Sequence, residues 1–369
     1  MDNNTIRILH IFSGVGGGIS TWIRKAAIYS GDKYTIDAMA FSITDKSNFI
    51  SIIESNGGRC YEMPRIRKGV IKLLKYISST INNGNYDLVH CHIDGYGAIP
   101  FWVASHVICR KPIIIHSHRT AIEKIAGRKF EKTIYGFNRA INRIISKYKV
   151  ACGEKAAEFA YGKTKRIKIL HNGIDPVDQE IVTDKKSEDQ INILALGRLN
   201  HVKNHEFMLE ISKQLKSMGV QFHLFIVGDG ELRNVIAEKI QTQKLEEYVS
   251  LEGYCDTPSI YLRKCDFLIM PSFSEGLPTV MLEAQEYGCR VISSNTVTRE
   301  CDLNLEMVSF KGISEADISE WANEISFYGK KRTMYSVEEL NNALAQKGFI
   351  NRNIYIDYYK YARKIVRKR

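Results

Sequence analysis

The chain has 369 residues, with 52 Lys+Arg against 41 Asp+Glu (net charge +11), 44% hydrophobic and 25% charged. This length predicts about two domains of roughly 100–200 residues each, and the apolar content excludes wholesale disorder. Eight cysteines without C-x-x-C spacing argue against a zinc knuckle or disulfide framework and predict reduced thiols in a cytoplasmic protein.

In chain order, Ile6–Phe12 reads as a strand running into a glycine cluster, followed by a helix over Ser20–Ser30. The opening MDNNTIRILHIFSG lacks an apolar leader, so no signal peptide is expected. Thr35–Phe41 is a second strand and Asn48–Asn56 a helix closed by Gly57-Gly58. Asp87–His92, Pro112–His118 and Lys147–Cys152 follow as strands, with a long helical region, Ala121–Ser146, between the last two. No run reaches the ~18 apolar residues of a spanning helix, and the most apolar stretch, Leu88–Cys109, is broken by His90, His92 and Asp94. A polar stretch, Asn172–Gln190, with Pro176 and Asp184-Lys185-Lys186, marks the boundary between domains. The second half repeats the rhythm: strands at Asn192–Leu196, Gln221–Val227, Val249–Leu251, Phe267–Met270 and Arg290–Ser293, helices at Glu206–Met218, Leu232–Gln243, Ile260–Cys265 and Thr279–Tyr287. Two alternating series predict two α/β, Rossmann-like domains with parallel sheets. Ligands of such sheets bind beyond the carboxyl ends of the strands.

The charge is uneven. Residues 1–170 hold 27 Lys+Arg and 12 Asp+Glu, whereas residues 171–369 hold 25 and 29. The two halves are therefore expected to meet different partners.

Several constellations fall in the loops after strands. Ser13-Gly14-Val15-Gly16-Gly17-Gly18 can bring backbone N–H groups to a phosphate, or form a plain tight turn; Ile19 breaks the dinucleotide fingerprint. Arg198 and Lys203, between a strand and a helix, can neutralise a pyrophosphate leaving group or sit as a solvated basic loop. Glu275 precedes the helix that opens near Thr279, and Glu283 lies within it. A loop carboxylate can accept hydrogen bonds from sugar hydroxyls and a helix carboxylate from a ribose, while N–H groups around Leu277–Val280 take phosphate oxygens. His90-Cys91-His92 and His116-Ser117-His118 place histidines on strands; a cleft lining is favoured over a zinc site.

GRLNHVKNH, VGDGELR, EGYCDTP, ILHNGID and the Glu275-x7-Glu283 block in SEGLPTVMLEA together resemble the retaining GT-B glycosyltransferases of family 4, and IIIHSHRT the version in bacterial capsule and exopolysaccharide enzymes. The resemblance implies two Rossmann-like domains facing each other across a cleft: residues 1–172 binding acceptor, residues 173–350 binding the nucleotide sugar, and a C-terminal helix, 351–369, packing back on the first. It implies that Arg198 and Lys203 bind the donor diphosphate, Glu283 the ribose and Glu275 the sugar hydroxyls. Gly253-Tyr254 would lie near the base, Gly276, Leu277, Pro278 and Thr279 would line the donor site, and the Gly16, Gly17, Gly18 loop would close over the phosphates. His118 would stand near the sugar ring and act in catalysis with Glu275, Arg198 and Lys203. The family usually has Asp or Asn after that histidine; this chain has Arg119. The donor is expected to be UDP-linked, as substrate, with no separate cofactor. The chain has no D-x-D, so no metal is expected.

The basic half contains PRIRKGVIKLLKYISS (64–79), with Arg65, Arg67, Lys68, Lys72 and Lys75 among apolar residues, and a second basic stretch over 119–149. Both fit peripheral contact with an anionic membrane, or simply helices with charged outer faces. Interleaved stacking aromatics are missing there, so nucleic acid is not expected. A nucleotide-sugar epimerase and a non-enzymatic basic adaptor are the alternatives; the adaptor leaves Arg198, Lys203, Glu275 and Glu283 without a role.

Overall fold

The computed structural model describes residues 5–44, 48–120, 131–162, 166–177, 190–329, 331 and 335–368. Of the helical region expected over 121–146, residues 121–130 lie outside them, as does the charged run 184–186, and Glu131–Ile145 is helical. The chain divides into two compact units, Met1–Asp175 with Gly348–Arg369, and Pro176–Lys347.

The first unit holds β1 (Ile6–Phe12), β2 (Tyr34–Ala40), β3 (Cys60–Glu62), β4 (Leu88–Cys91), β5 (Ile113–Ser117), β6 (Tyr148–Ala151) and β7 (Lys168–Ile169). They form one sheet in the order β3-β2-β1-β4-β5-β6-β7, every pairing parallel. The second unit holds β8 (Ile191–Leu196), β9 (Phe222–Val227), β10 (Val249–Gly253), β11 (Phe267–Met270), β12 (Arg290–Ser294) and β13 (Val308–Lys311). Its order is β10-β9-β8-β11-β12-β13, again all parallel. Both orders reverse direction beside the first strand of the unit, between β1 and β4 and between β8 and β11. That switch point opens a crevice at the carboxyl ends of the strands.

Parallel strands covered on both faces read as near-continuous apolar runs. In β1, Ile8 and Phe12 pack on one face with Trp22, Tyr355 and Tyr358, while Leu9 and Ile11 pack on the other with Leu73, Ile77 and Phe101. His10 shares the face of Ile8 and Phe12 and is fully buried, a polar residue in an apolar layer. The helix Asn351–Arg367 contributes Tyr355, Tyr358 and Tyr359 to this layer. Tyr355 Oη donates to the Trp22 carbonyl at 2.8 Å, and Tyr359 Oη to the Ala26 carbonyl. In the second unit the core gathers β8, β9 and β11 under helix His205–Ser217 and Trp321.

One expectation needs correction. Cys265 and Cys289 are joined in a disulfide with Cα atoms 6.1 Å apart, so not all eight cysteines are free thiols. The pair joins the turn before β11 to the turn before β12, and a separation of 24 residues leaves no sequence signature. The stretch after β4 also forms helical turns, over Gly95–Ala98, Ile99–Trp102 and Val103–Ile108, with a π-helical last segment.

Candidate active site

In the second unit, the loops after β8 and β11 meet. The Phe273 N–H donates to the Val202 carbonyl at 2.8 Å and the Phe273 ring stacks on His201 at 5.2 Å. This brings Lys203 Nζ to 2.8 Å from Glu275 Oε1, both side chains largely shielded. Glycines make the approach possible. Gly197 has φ +150°, and a Cβ there would lie 2.7 Å from Lys203 Cε; at Gly228, φ +145°, a Cβ would lie 1.8 Å from the Gly197 carbonyl oxygen. Arg198 instead projects outward, 73% exposed, with Glu231 at 3.5 Å.

Past Glu275, the buried Leu277 and Pro278 lead into helix Thr279–Glu286. Pro278 supplies no capping side chain, so the first N–H groups of the helix have no partner of that kind. Glu283 keeps some solvent contact but is densely surrounded; burial raises its carboxyl above the ordinary value, and the Thr279 hydroxyl opposes the rise. Gly253 ends β10 at φ +79°, where a Cβ would lie 3.5 Å from the Arg233 guanidinium, and Tyr254 beside it is half exposed. The structure thus brings Lys203 and Glu275 together, sets Glu283 within the adjoining helix, and leaves Arg198 and Tyr254 on the rim.

In the first unit, Gly16 and Gly17 have φ of +120° and +89°, and the Gly16 N–H donates to Ser20 Oγ at 3.0 Å. A helix, Gly18–Ile28, starts there without a side-chain cap. His118 stands just past β5. Beside it, Asp94, noted in the sequence only as a break in an apolar run, accepts from Ser117 Oγ at 2.6 Å and pairs with Arg119. Arg119 is thereby turned to Asp94. The signal was a polar residue after each of two adjacent strands.

His118 also ends a chain of imidazoles. His118 Nε2 lies 2.9 Å from His92 Nδ1, and His92 Nε2 lies 2.9 Å from His10 Nδ1. His10 Nε2 is 3.2 Å from Tyr358 Oη, Tyr358 Oη is 3.0 Å from His90 Nδ1, and His90 Nε2 is 3.1 Å from His116 Nδ1. Trp22 covers the rings of His90, His92 and His116, each 5.4 Å between centroids. Burial pushes His10 and His118 down to about 3 and lowers His90, His92 and His116 as well, so all five are neutral at pH 7. Nitrogens of His10, His90 and His92, and of His92, His116 and His118, lie within 4.8 Å of one another. A metal ion needs lone pairs converging on one point. His90 and His92 instead stack at 11°, and His116 and His118 lie tilted at 34° with centroids 4.0 Å apart.

A family model described as "Glycosyl transferases group 1" matches residues 177–346. EpsF of Bacillus subtilis (strain 168), which is named as a glycosyltransferase, is 30% identical over 348 residues, 88% of each chain. The UDP-Gal:alpha-D-GlcNAc-diphosphoundecaprenol alpha-1,3-galactosyltransferase of Escherichia coli is 27% identical over 277 residues, 70% of this chain and 69% of that one. Among solved structures, Anabaena HepE in complex with UDP and glucose covers 97% of this chain and 100% of its own, with a TM-score of 0.74 at 17% identity. The fold is GT-B, with two Rossmann-like domains of parallel sheet.

Proposed function

This chain belongs to the glycosyl transferases group 1 family, and from that premise we propose that it moves a hexose-type sugar from a UDP-linked donor to a glycan or lipid-linked glycan in cell-surface polysaccharide synthesis, retaining the anomeric configuration and using no metal ion. The observation that carries this reading is the Lys203–Glu275 pair at 2.8 Å, where the two loops of the switch point meet. A cation held there faces the place where a departing diphosphate gathers charge, and Arg198 on the rim adds a second. The N–H groups of Thr279 and Val280, at the start of helix Thr279–Glu286 and without a side-chain cap, take phosphate oxygens. Glu275 accepts from the donor sugar's hydroxyls and Glu283 from the ribose; Gly253 and Tyr254 border the base. The bond from C1 to the diphosphate oxygen breaks, the bond from C1 to the acceptor oxygen forms on the same face, and the hydroxyl proton passes to the departing phosphate. Glu275 and Glu283 are binding groups in this scheme, not the acid and base of a glycosidase.

Support for a UDP donor and a lipid-linked acceptor comes from the relatives: HepE was solved with UDP, and the Escherichia coli enzyme is named for UDP-Gal and a diphosphoundecaprenol acceptor. Replacing Lys203→Ala or Glu275→Ala should lower transfer at least about tenfold with the melting curve intact. Wild-type transfer in both variants would sink the reading. A thermal-shift screen identifies the donor, because a bound nucleotide sugar raises apparent stability by mass action.

We place the enzyme at the cytoplasmic face of the membrane, touching anionic lipid through the first unit. Leu73 and Ile77 of helix Val70–Asn83 are core residues, so its apolar positions are not all available. Ile66, Val70 and Ile71 remain exposed, Ile71 at 72%, beside exposed Arg65, Arg67, Lys72 and Lys75. No helix among the described residues is long and apolar enough to cross a membrane. Sedimentation with phosphatidylglycerol vesicles but not phosphatidylcholine vesicles, weakened by Ile71→Glu, is the expected result; equal binding to both contradicts it.

A further inference from the structure

The five imidazoles and the Tyr358 phenol form one unbranched series, His118, His92, His10, Tyr358, His90, His116, and every link between two imidazoles joins an Nε2 to an Nδ1. A neutral imidazole has one N–H and one lone pair. Once one ring in such a series is fixed, the others follow. Either all five carry the proton on Nε2, or all five carry it on Nδ1.

The ends decide which. His116 Nε2 makes no hydrogen bond of ordinary geometry, but the Leu170 carbonyl nearby favours a proton on that ring. With Nε2–H on His116, its Nδ1 accepts from His90 Nε2–H, and His90 Nδ1 accepts from the Tyr358 hydroxyl. Tyr358 accepts from His10 Nε2–H, His10 Nδ1 from His92 Nε2–H, and His92 Nδ1 from His118 Nε2–H. The remaining group is His118 Nδ1, shielded from solvent and without a partner among the described residues.

We propose that this relay fixes His118 as the Nε2–H tautomer, so that its Nδ1 offers a lone pair and selects a hydroxyl as its ligand, with Tyr358 of the C-terminal helix as the positioning residue that carries the direction from His90 across to His10. The inference rests on the reading of His118 as the residue beside the transferred sugar. A hydroxyl can donate to that lone pair. An acceptor-only group, such as a phosphate oxygen or a carbonyl, is turned away. Tyr358 is the one member that is not an imidazole, and it must donate and accept at once. Phenylalanine keeps its ring, which packs against Trp22 at 5.0 Å, but can do neither. His10 Nε2–H would then have no acceptor, and the His10–His92–His118 segment would be free to reverse.

Long-range 15N–1H correlation spectra of the full chain, labelled at histidine and recorded without substrate at pH 7, read each tautomer directly. The expected wild-type result is the Nε2–H form at His10, His90, His92, His116 and His118. Tyr358→Phe should shift His118 toward Nδ1–H and lower kcat roughly three- to tenfold with the donor KM within about twofold. An Nδ1–H tautomer or an imidazolium at His118 or His92 in the wild type overturns the proposal, even if the variant cannot be folded. So does a Tyr358→Phe protein with an unchanged His118 tautomer, or with a changed tautomer and unchanged kcat. The spectra need no donor, so failure to find sugar transfer counts against the proposed function and not against the relay.

Discussion

The two units share the strand order 3-2-1-4-5-6, to which the first adds a seventh edge strand, and one switch point, yet they fill it with opposite chemistry. In the second unit the crevice is made of charged side chains on glycine-relieved loops: Lys203 against Glu275, Arg198 at the rim, Glu283 beneath. In the first, neutral rings within and just past β1, β4 and β5 are joined in series and covered by Trp22, with the Asp94–Arg119 pair to one side. A parallel sheet provides the place, and the side chains at the strand ends decide what it can hold. Charges on a partly wet loop suit an anion that arrives and leaves. A dry, uncharged array suits a group that must be oriented by hydrogen bonds.

This contrast can be broken at several points. The largest effect of a single substitution is expected from Gly228→Ala, because its Cβ would meet the Gly197 carbonyl at 1.8 Å at a φ that disfavours any side chain. A loss of about 3 kcal/mol or more, read by urea unfolding, is expected; a change below about 1 kcal/mol would mean that the loop can relax. Next comes acid. His10 titrates near 3 when folded against an ordinary 6.5, so the unfolded chain binds more protons between those values and stability falls as pH drops below 6.5. For His10 alone this amounts to about 2 kcal/mol between pH 7 and pH 5. Four further buried histidines add to it in the same direction, against His205 in the second unit, pushed to about 4 by burial and then Lys203. Hydrogen exchange at pH 5 should therefore open β1, β4 and β5 before β8 and β11; the reverse order contradicts the contrast.

Glu283→Gln separates binding from stability. The raised carboxyl makes the folded state bind more protons than the unfolded one just above the ordinary carboxylate value, so stability falls as pH rises through that window and the cost persists at pH 7. The variant should melt higher than wild type at pH 7, with no gain at pH 4, while binding the nucleotide sugar about tenfold more weakly. A lower melting temperature at pH 7 would contradict the sign. The smallest effect belongs to Glu231→Ala. Its pair with Arg198 is long and exposed, and unfolding should change by less than about 0.5 kcal/mol.

How much of this was legible in the sequence depended on how local the signal was. Phe267–Met270 is a run of four apolar residues between a charged turn and a proline, and its bounds follow from those neighbours. Lys203 and Glu275 were found as loop residues after strands, because loop position follows from strand position. Their approach to 2.8 Å was not legible, since it depends on the pairing of β8 with β11 and on glycines 31 residues apart at Gly197 and Gly228. The histidines at the carboxyl ends of β4 and β5 stood out, but His10 was hidden inside a strand and Tyr358 lies 348 residues from it. β3, β7 and β13 are too short or too polar to stand out as strands.

The central claim is that donor recognition belongs to the charged crevice of the second unit and hydroxyl orientation to the neutral array of the first. Calorimetric titration of UDP into the wild-type chain, Lys203→Ala and Tyr358→Phe tests it most directly. The account predicts UDP binding that weakens at least about tenfold in Lys203→Ala and stays within about twofold of wild type in Tyr358→Phe. Binding that survives Lys203→Ala, or that is lost in a folded Tyr358→Phe protein, would contradict it.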